Sequence, residues 1–214
     1  AGDFLFAQSF DLMVETKSLK ALSVLAQASC KITQGEFLQM QISNKPNTKL
    51  SDYFNVIGGK TAQLFGASAQ SGAIVANGSL QQVKAAFDYG YNMGLAFQII
   101  DDIMDYSSSK TKMGKNQGDD FKLGKTTLPI ILAWEKSNKP EREFFLQSLQ
   151  ELKQEKGDFE KCCEILRKYS ILNRCKKIAN DFVIKAINAL NEFSENEYKK
   201  ALVELANSSL SRDN

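Results

Sequence analysis

Apolar residues recur at helical spacing along nearly the whole chain, and no run alternates as a half-buried strand would. Residues 3–14, DFLFAQSFDLMV, predict a helix so rich in Phe, Leu and Val that it should be mostly buried. Residues 18–42 predict a long amphipathic helix with Leu22, Leu25, Ala26, Ser29, Ile32 and Thr33 along one face. Residues 44–52 read as a connector, with Ser51 or Asp52 placed to cap the next helix. That third segment, 52–76, is crowded with small residues that permit close packing, and Gly58–Gly59 is its candidate kink. A fourth helix over 79–107 leads into a loop over 108–125. A short helix follows over 126–137, with Pro129 in its first turn, where proline is tolerated. Residues 140–211 read as three or four amphipathic helices. The pattern predicts an all-α fold in which 1–214 form one domain. The first helix is entered without a cap or a polar leader, as though the chain began partway through a core element.

The fourth helix carries an exception to its own pattern. In GLAFQIIDDIMDY, 94–106, three aspartates stand at i, i+1 and i+4 inside an apolar run. At about 100° per residue, Gln98, Asp101, Asp102 and Asp105 fall within an arc of roughly 100°, with Gly94 on the same arc. Apolar residues flank the stripe on both sides: Met93, Phe97, Ile100 and Met104 on one, Leu95, Ile99 and Ile103 on the other. A solvated helix face would be wider and would mix charges, and this stripe holds no lysine. Carboxylates in apolar surroundings need compensation, which a divalent cation supplies. The stripe is therefore expected to line a cavity inside a bundle.

Composition narrows the chemistry. The chain has no histidine, which removes His-based triads and His-ligated zinc. Cys30, Cys162, Cys163 and Cys175 lack metal-site spacing and read as reduced core cysteines of a cytosolic protein. Oxygen ligands alone select a hard cation, and Mg²⁺ characteristically combines one or two carboxylates with substrate phosphates. A net charge of +2 gives no general pull toward nucleic acid. No apolar run approaches the length of a membrane span.

Lysines supply the anion side. After the stripe come Lys110, Lys112, Lys115, Lys122 and Lys125, interleaved with glycines. Lys110 and Lys112 read as solvated. Lys115 and Lys125 each follow a glycine close to the acidic helix and are placed to fold over a bound diphosphate as a lid. Lys60 follows Gly58–Gly59 in an otherwise apolar or small-residue helix, and the kink beside it and Thr61 after it point to a phosphate contact.

Together FQIIDDIMD, GKNQGDDFKLGKTTLP, GGKTAQLF, GDFLFAQSF and QGEFLQMQ resemble, in order, segments of the trans-isoprenyl diphosphate synthase (polyprenyl synthetase) family. Matching patterns run from residue 2 to about residue 134, and the TLPIILA and GDFLFA segments look most like long-chain octaprenyl or decaprenyl synthases. The resemblance implies an isoprenoid-synthase-type helical bundle around a central cavity. It also implies Mg²⁺-dependent head-to-tail condensation of isopentenyl diphosphate with an allylic prenyl diphosphate, as for ubiquinone or menaquinone side chains. On that reading Asp101, Asp102 and Asp105 hold the metal directly or through water. Lys60, Lys115 and Lys125 neutralise the departing diphosphate. Thr61 and Gln98 offer neutral dipoles to the nascent cation or to phosphate, and together with Lys60 form the catalytic set. Gln39 faces the same cavity as a further diphosphate contact, and Phe97 is among the apolar walls that receive the growing chain. A cytoplasmic homodimer is implied, with peripheral membrane contact for product release and no nucleic-acid partner. The family also carries a first aspartate-rich motif upstream of GDFLFA, which this chain lacks. The sequence thus looks like the C-terminal two-thirds of a synthase with its N-terminal helices missing, and is expected to be inactive alone. A non-catalytic or complementing subunit of a heteromeric synthase is the alternative. A class I terpene cyclase would share the metal logic but not the Lys-Thr and GKTTLP segments.

Overall fold

The computed structural model describes residues 2–107 and 117–211, and every regular element among them is helical. In chain order these are α1 (Gly2–Glu15), α2 (Leu19–Ile42), α3 (Leu50–Ile57), a π-turn (Gly58–Ala62), α4 (Gln63–Val75) and α5 (Leu80–Met104). Then follow α6 (Asp119–Lys122), α7 (Leu128–Lys136), α8 (Lys139–Phe145) running into a further π-helical segment (Leu146–Gln150), α9 (Asp158–Lys168), α10 (Ile171–Ala189) running into a short 3-10 segment (Leu190–Glu192), and α11 (Glu197–Ser208) with a last 3-10 segment (Ser209–Ser211).

The central rod is α5, packed against α4 and the π-turn on one side and α10 on the other. It begins at a capping box in which Ser79 accepts from the Gln82 amide while the Gln82 side chain accepts from the Ser79 amide. Its apolar flank sets Ile99 and Ile103 in a core shared with Leu128, Ile130 and Ile131 of α7 and with Leu166 and Ile171. Each such side chain contributes about 1.5–3 kcal/mol when fully buried. Pro129 sits in the first turn of α7, as expected. The earlier half of α5 places Tyr89, Met93 and Ala96 against Val183, Ala186 and Ala206, a second core patch toward α10 and α11.

Where the elements differ from expectation, close packing explains most of it. The buried positions of α2 are Ala21, Ala28 and Gly35, spaced by seven, not the larger apolar row. Ala26 and Thr33 of the predicted face are exposed. The reason is the approach of α2 to the π-turn and α4, which admits only small residues. At Gly35 the chain lies against the Lys60 backbone so closely that an added Cβ would collide with the Lys60 amide nitrogen. The third segment is split. Gly58–Gly59 open a five-residue π-turn between α3 and α4, in place of a simple kink. Neither Ser51 nor Asp52 caps α3; the cap position is Lys49, with no side-chain hydrogen bond. The helix α1 forms as predicted but is not buried: Phe4 is 68% and Leu5 65% exposed, because its main neighbour among the described residues is α2, which covers it along one side.

The cysteines divide by place. Cys162 and Cys175 are buried, Cys163 is half-buried, and Cys30 lies exposed on α2, contrary to its reading as a core residue. Burial pushes the Cys163 thiol up to about 11 and that of Cys175 up to about 12. In the native protein Cys30 is expected to react first with iodoacetamide. Labelling of Cys163 should accelerate about tenfold per pH unit between roughly pH 8 and 10, as its thiolate fraction grows. Mass-mapped alkylation checks this, and a fast, pH-flat Cys163 would contradict its burial.

Candidate active site

A cavity of about 180 Å³ opens between α2, the α3–π-turn segment, α5 and the irregular stretch at Lys125–Thr126. Its polar walls are Gln39, Lys60, Thr61, Gln98, Asp101, Asp102, Lys125 and Thr126. Residues that the sequence scatters over almost ninety positions thus meet at one opening.

The π-turn is what aims Lys60 and Thr61. One extra residue in the turn shifts the helical phase, and the two side chains come round to face α2 and α5. The Lys60 ammonium donates to Gln39 Oε1 at 2.6 Å and pairs with the Glu36 carboxylate at 3.0 and 3.1 Å. Thr61 Oγ1 donates to Gln98 Oε1 at 2.9 Å. That bond fixes the Gln98 amide: its nitrogen donates to Asp102 Oδ1 at 3.1 Å and approaches Asp101 Oδ2 at 3.5 Å.

The three aspartates of the stripe have different surroundings. Asp101 is half-buried and lines the cavity. Asp102 is 1% exposed and has its oxygens engaged by the protein: the Tyr53 hydroxyl donates to Oδ2 at 2.7 Å, and Lys125 Nζ lies 3.6 Å from Oδ1. Burial raises the Asp102 carboxyl, while Lys125 and the Tyr53 bond pull the other way. Asp105 stands outside the cavity lining and accepts from the backbone amide of Asp120 at 3.2 Å. Burial, then repulsion from Asp120, raises it to about 6.

Lys125 is the second cation of the site. Its chain segment is clamped by the α2–α3 connector, where the Asn44 amide donates to Gly124 O at 3.0 Å and the Lys45 amide to Thr126 Oγ1 at 3.2 Å. Gly124 takes a positive φ of 64° with the Asn44 side chain against it, so a Cβ would be both strained and blocked. Burial disfavours the Lys125 ammonium, but Asp102 and Asp120, the latter at 2.9 Å, outweigh it and raise its pKa. It is a cation held between two carboxylates.

Of the residues read from the sequence, Lys60, Thr61, Gln98, Gln39, Lys125, Asp101 and Asp102 converge. Asp105 is one turn away along α5. Phe97 does not line the cavity and instead packs on Phe65 with ring centroids 5.4 Å apart. Lys110, Lys112 and Lys115 lie outside the described residues. Three participants carry no obvious signal: Tyr53, which reads as core; Glu36, which reads as surface; and Asp120, which is lost among the loop charges.

The donor set fits a hard divalent cation as one wall of a site, not as a cage. Among the described residues no group of three His, Cys, Asp or Glu side chains is poised around one point. Asp101 presents carboxylate oxygen to an opening that also holds two lysines, the arrangement suited to Mg²⁺ carrying phosphate.

Comparison with known proteins gives the family. The family model described as polyprenyl synthetase matches residues 1–166. The chain is 36% identical to an octaprenyl diphosphate synthase of Haemophilus influenzae, over 99% of its own length and 64% of that protein. In structure it is similar to a polyprenyl synthase from Caulobacter crescentus, crystallised with calcium and isoprenyl diphosphate. The TM-score is 0.95 at 42% identity, over 100% of this chain and 65% of that one. A decaprenyl diphosphate synthase from Rhodobacter capsulatus gives 0.92 at 36% identity, over 100% and 66%. The chain thus spans just under two-thirds of the length of the first two of these relatives.

Proposed function

This chain belongs to the polyprenyl synthetase family, and on that premise we propose that the complete protein is a Mg²⁺-dependent prenyltransferase. It condenses isopentenyl diphosphate with an allylic prenyl diphosphate to make a long-chain polyprenyl diphosphate of the kind used for quinone side chains. The observation that carries this reading is the convergence of Lys60, Thr61, Gln98, Asp101 and Lys125 on one opening.

The reaction breaks the allylic C–O bond, and the electron pair leaves on the diphosphate. The alkene of isopentenyl diphosphate forms the new C–C bond, and loss of a proton restores an alkene. When bound, Mg²⁺ supplies the Lewis acidity that stabilises the leaving diphosphate; Asp101 would hold it, with Asp102 and Asp105 acting through water. Lys60 and Lys125, joined by Lys115, take up the charge that grows on the leaving group. Lys60 exchanges its Glu36 partner for diphosphate oxygen while Gln39 keeps it oriented. The Gln98 carbonyl, aligned by Thr61, offers an electron-rich oxygen to the allylic cation without competing as a nucleophile. We place residues 1–214 in one domain and the protein in the cytoplasm as a homodimer, with membrane contact during product release. No helix among the described residues is long and apolar enough to cross a membrane.

A second reading, a subunit completed by another chain, is favoured by one feature: α1 and α2 expose Phe4, Leu5, Phe37 and Met40 on helices that are otherwise well formed. Incubation with labelled isopentenyl diphosphate, an allylic primer and Mg²⁺ separates the readings. The complete protein is expected to elongate the primer, and the 214-residue chain alone is not. Robust turnover by the chain alone would sink the incomplete-site view. Turnover only after a different protein is added would favour the subunit.

A further inference from the structure

Tyr53 stands on α3 about two turns before Lys60, and its ring belongs to the apolar cluster of Ile57, Ile99 and Ile103. Its side chain is all but buried, and its hydroxyl donates to Asp102 Oδ2 at 2.7 Å. The other oxygen of the same carboxylate receives Gln98 Nε2 at 3.1 Å and faces Lys125 Nζ at 3.6 Å. One buried carboxylate is therefore divided. Tyr53 takes one oxygen, and two groups assigned to substrate share the other. A carboxylate is free to turn about its Cβ–Cγ bond, and a turn here would carry Oδ1 away from both Gln98 and Lys125. The tyrosine bond comes from a different helix and resists that turn.

We infer that Tyr53 is a positioning residue: through Asp102 it sets Lys125 and Gln98 toward the substrate diphosphate. Tyr53 touches no reacting atom in this scheme. It lines the same cavity as Lys125 and Gln98, with its side chain all but buried. The inference rests on the prenyl-transfer reading above and adds to it a residue on a helix that otherwise serves the core. A purely structural tyrosine would show itself differently. Loss of its hydroxyl would move the melting temperature and leave diphosphate affinity alone. A positioning tyrosine moves the affinity, and only while Lys125 is present.

The test uses the complete protein with Mg²⁺, and inorganic diphosphate as the probe, read as an inhibition constant against the allylic substrate. Tyr53→Phe keeps the ring and removes the bond. It is expected to weaken diphosphate about tenfold, the size of one hydrogen bond to a charged group, and to raise KM for the allylic diphosphate more than it lowers kcat. In a Lys125→Met background the same change is expected to have little further effect on diphosphate. An unchanged inhibition constant in Tyr53→Phe, or an equal loss in both backgrounds, would overturn the inference while leaving prenyl transfer standing. Failure of the unsubstituted protein to bind diphosphate or transfer prenyl groups would overturn both. If Tyr53→Phe melts too low to assay, Asp102→Asn decides. It keeps the volume and removes one of the two carboxylates beside Lys125. Because Asp102 also stands in the proposed metal set, diphosphate is here titrated without Mg²⁺, where the loss must appear and must vanish in the Lys125→Met background. Normal Mg²⁺-free binding overturns the inference.

Discussion

Asp101→Ala in the complete protein is expected to lower prenyl transfer at least about a hundredfold, the range seen when a group that stabilises developing charge is removed. Its melting temperature should barely move. The two halves of this expectation come from one contrast along α5. Asp101 faces the cavity half-exposed, and its removal leaves Gln98 still bonded to Thr61 and Asp102. Asp102, one residue on, is buried against Tyr53 and Lys125, and its removal strands the buried Tyr53 hydroxyl while leaving Lys125 with Asp120 as its remaining carboxylate. Asp102→Ala should therefore lose stability as well as activity, by about 1–3 kcal/mol for the buried tyrosine hydroxyl left without an acceptor. Steady-state assay with labelled isopentenyl diphosphate, beside a thermal melt, distinguishes the two. Near-normal turnover in Asp101→Ala would remove Asp101 from the metal site, and equal loss of stability in both variants would mean that the stripe is structural.

That contrast also marks how far the site was legible before the structure. The stripe was readable because carboxylates at i, i+1 and i+4 in an apolar helix violate the pattern around them. What periodicity could not give was the depth of each aspartate at the cavity, where Asp101 is half-exposed and Asp102 is buried against Tyr53. The glycines before Lys60 and Thr61 single these residues out, but a π-turn and a kink look alike in sequence. Tyr53 was invisible for the opposite reason. It obeys the apolar pattern of α3, and only the position of its hydroxyl relative to a residue 49 positions away gives it a role. For α2 the predicted face is only half-buried at Leu22, Leu25, Ser29 and Ile32, while the fully buried positions are the small residues beside it, Ala21, Ala28 and Gly35, the last with the Lys60 backbone against it. The burial expected of α1 is unmet because burial depends on partners, which a helix's own residues do not supply. The lid reading of Lys115 falls outside the described residues, while Lys125, its companion, reached the cavity by a route no spacing rule encodes: a clamp from the α2–α3 connector.

Gly94→Val is expected to disable the protein from a position that touches no substrate. Gly94 lies one helical turn before Gln98, on the same arc as the aspartates. An added Cβ there would stand 2.5 Å from Ala62 Cα and 3.1 Å from the side chains of Ala62 and Phe65. Ala62 closes the π-turn, directly after Thr61, so the obstacle is backbone and cannot rotate away. Even Gly94→Ala must push the π-turn off α5, at a cost of about 1–3 kcal/mol of the kind overpacking incurs. For a chain of this size that corresponds to a drop in melting temperature of roughly 2–12 °C. The displacement separates Thr61 from Gln98 and swings Lys60 away from the cavity, so turnover should fall in the alanine variant before the fold is lost, and valine should exceed what the fold tolerates. Gly72→Ala is the control. Nothing lies within 4 Å of its Cβ. There alanine in place of a helical glycine should stabilise by up to about 1 kcal/mol and leave activity unchanged. If Gly94→Ala behaved like Gly72→Ala in both melt and turnover, the close contact between the π-turn and the aspartate helix would not be what holds the two halves of the site in register.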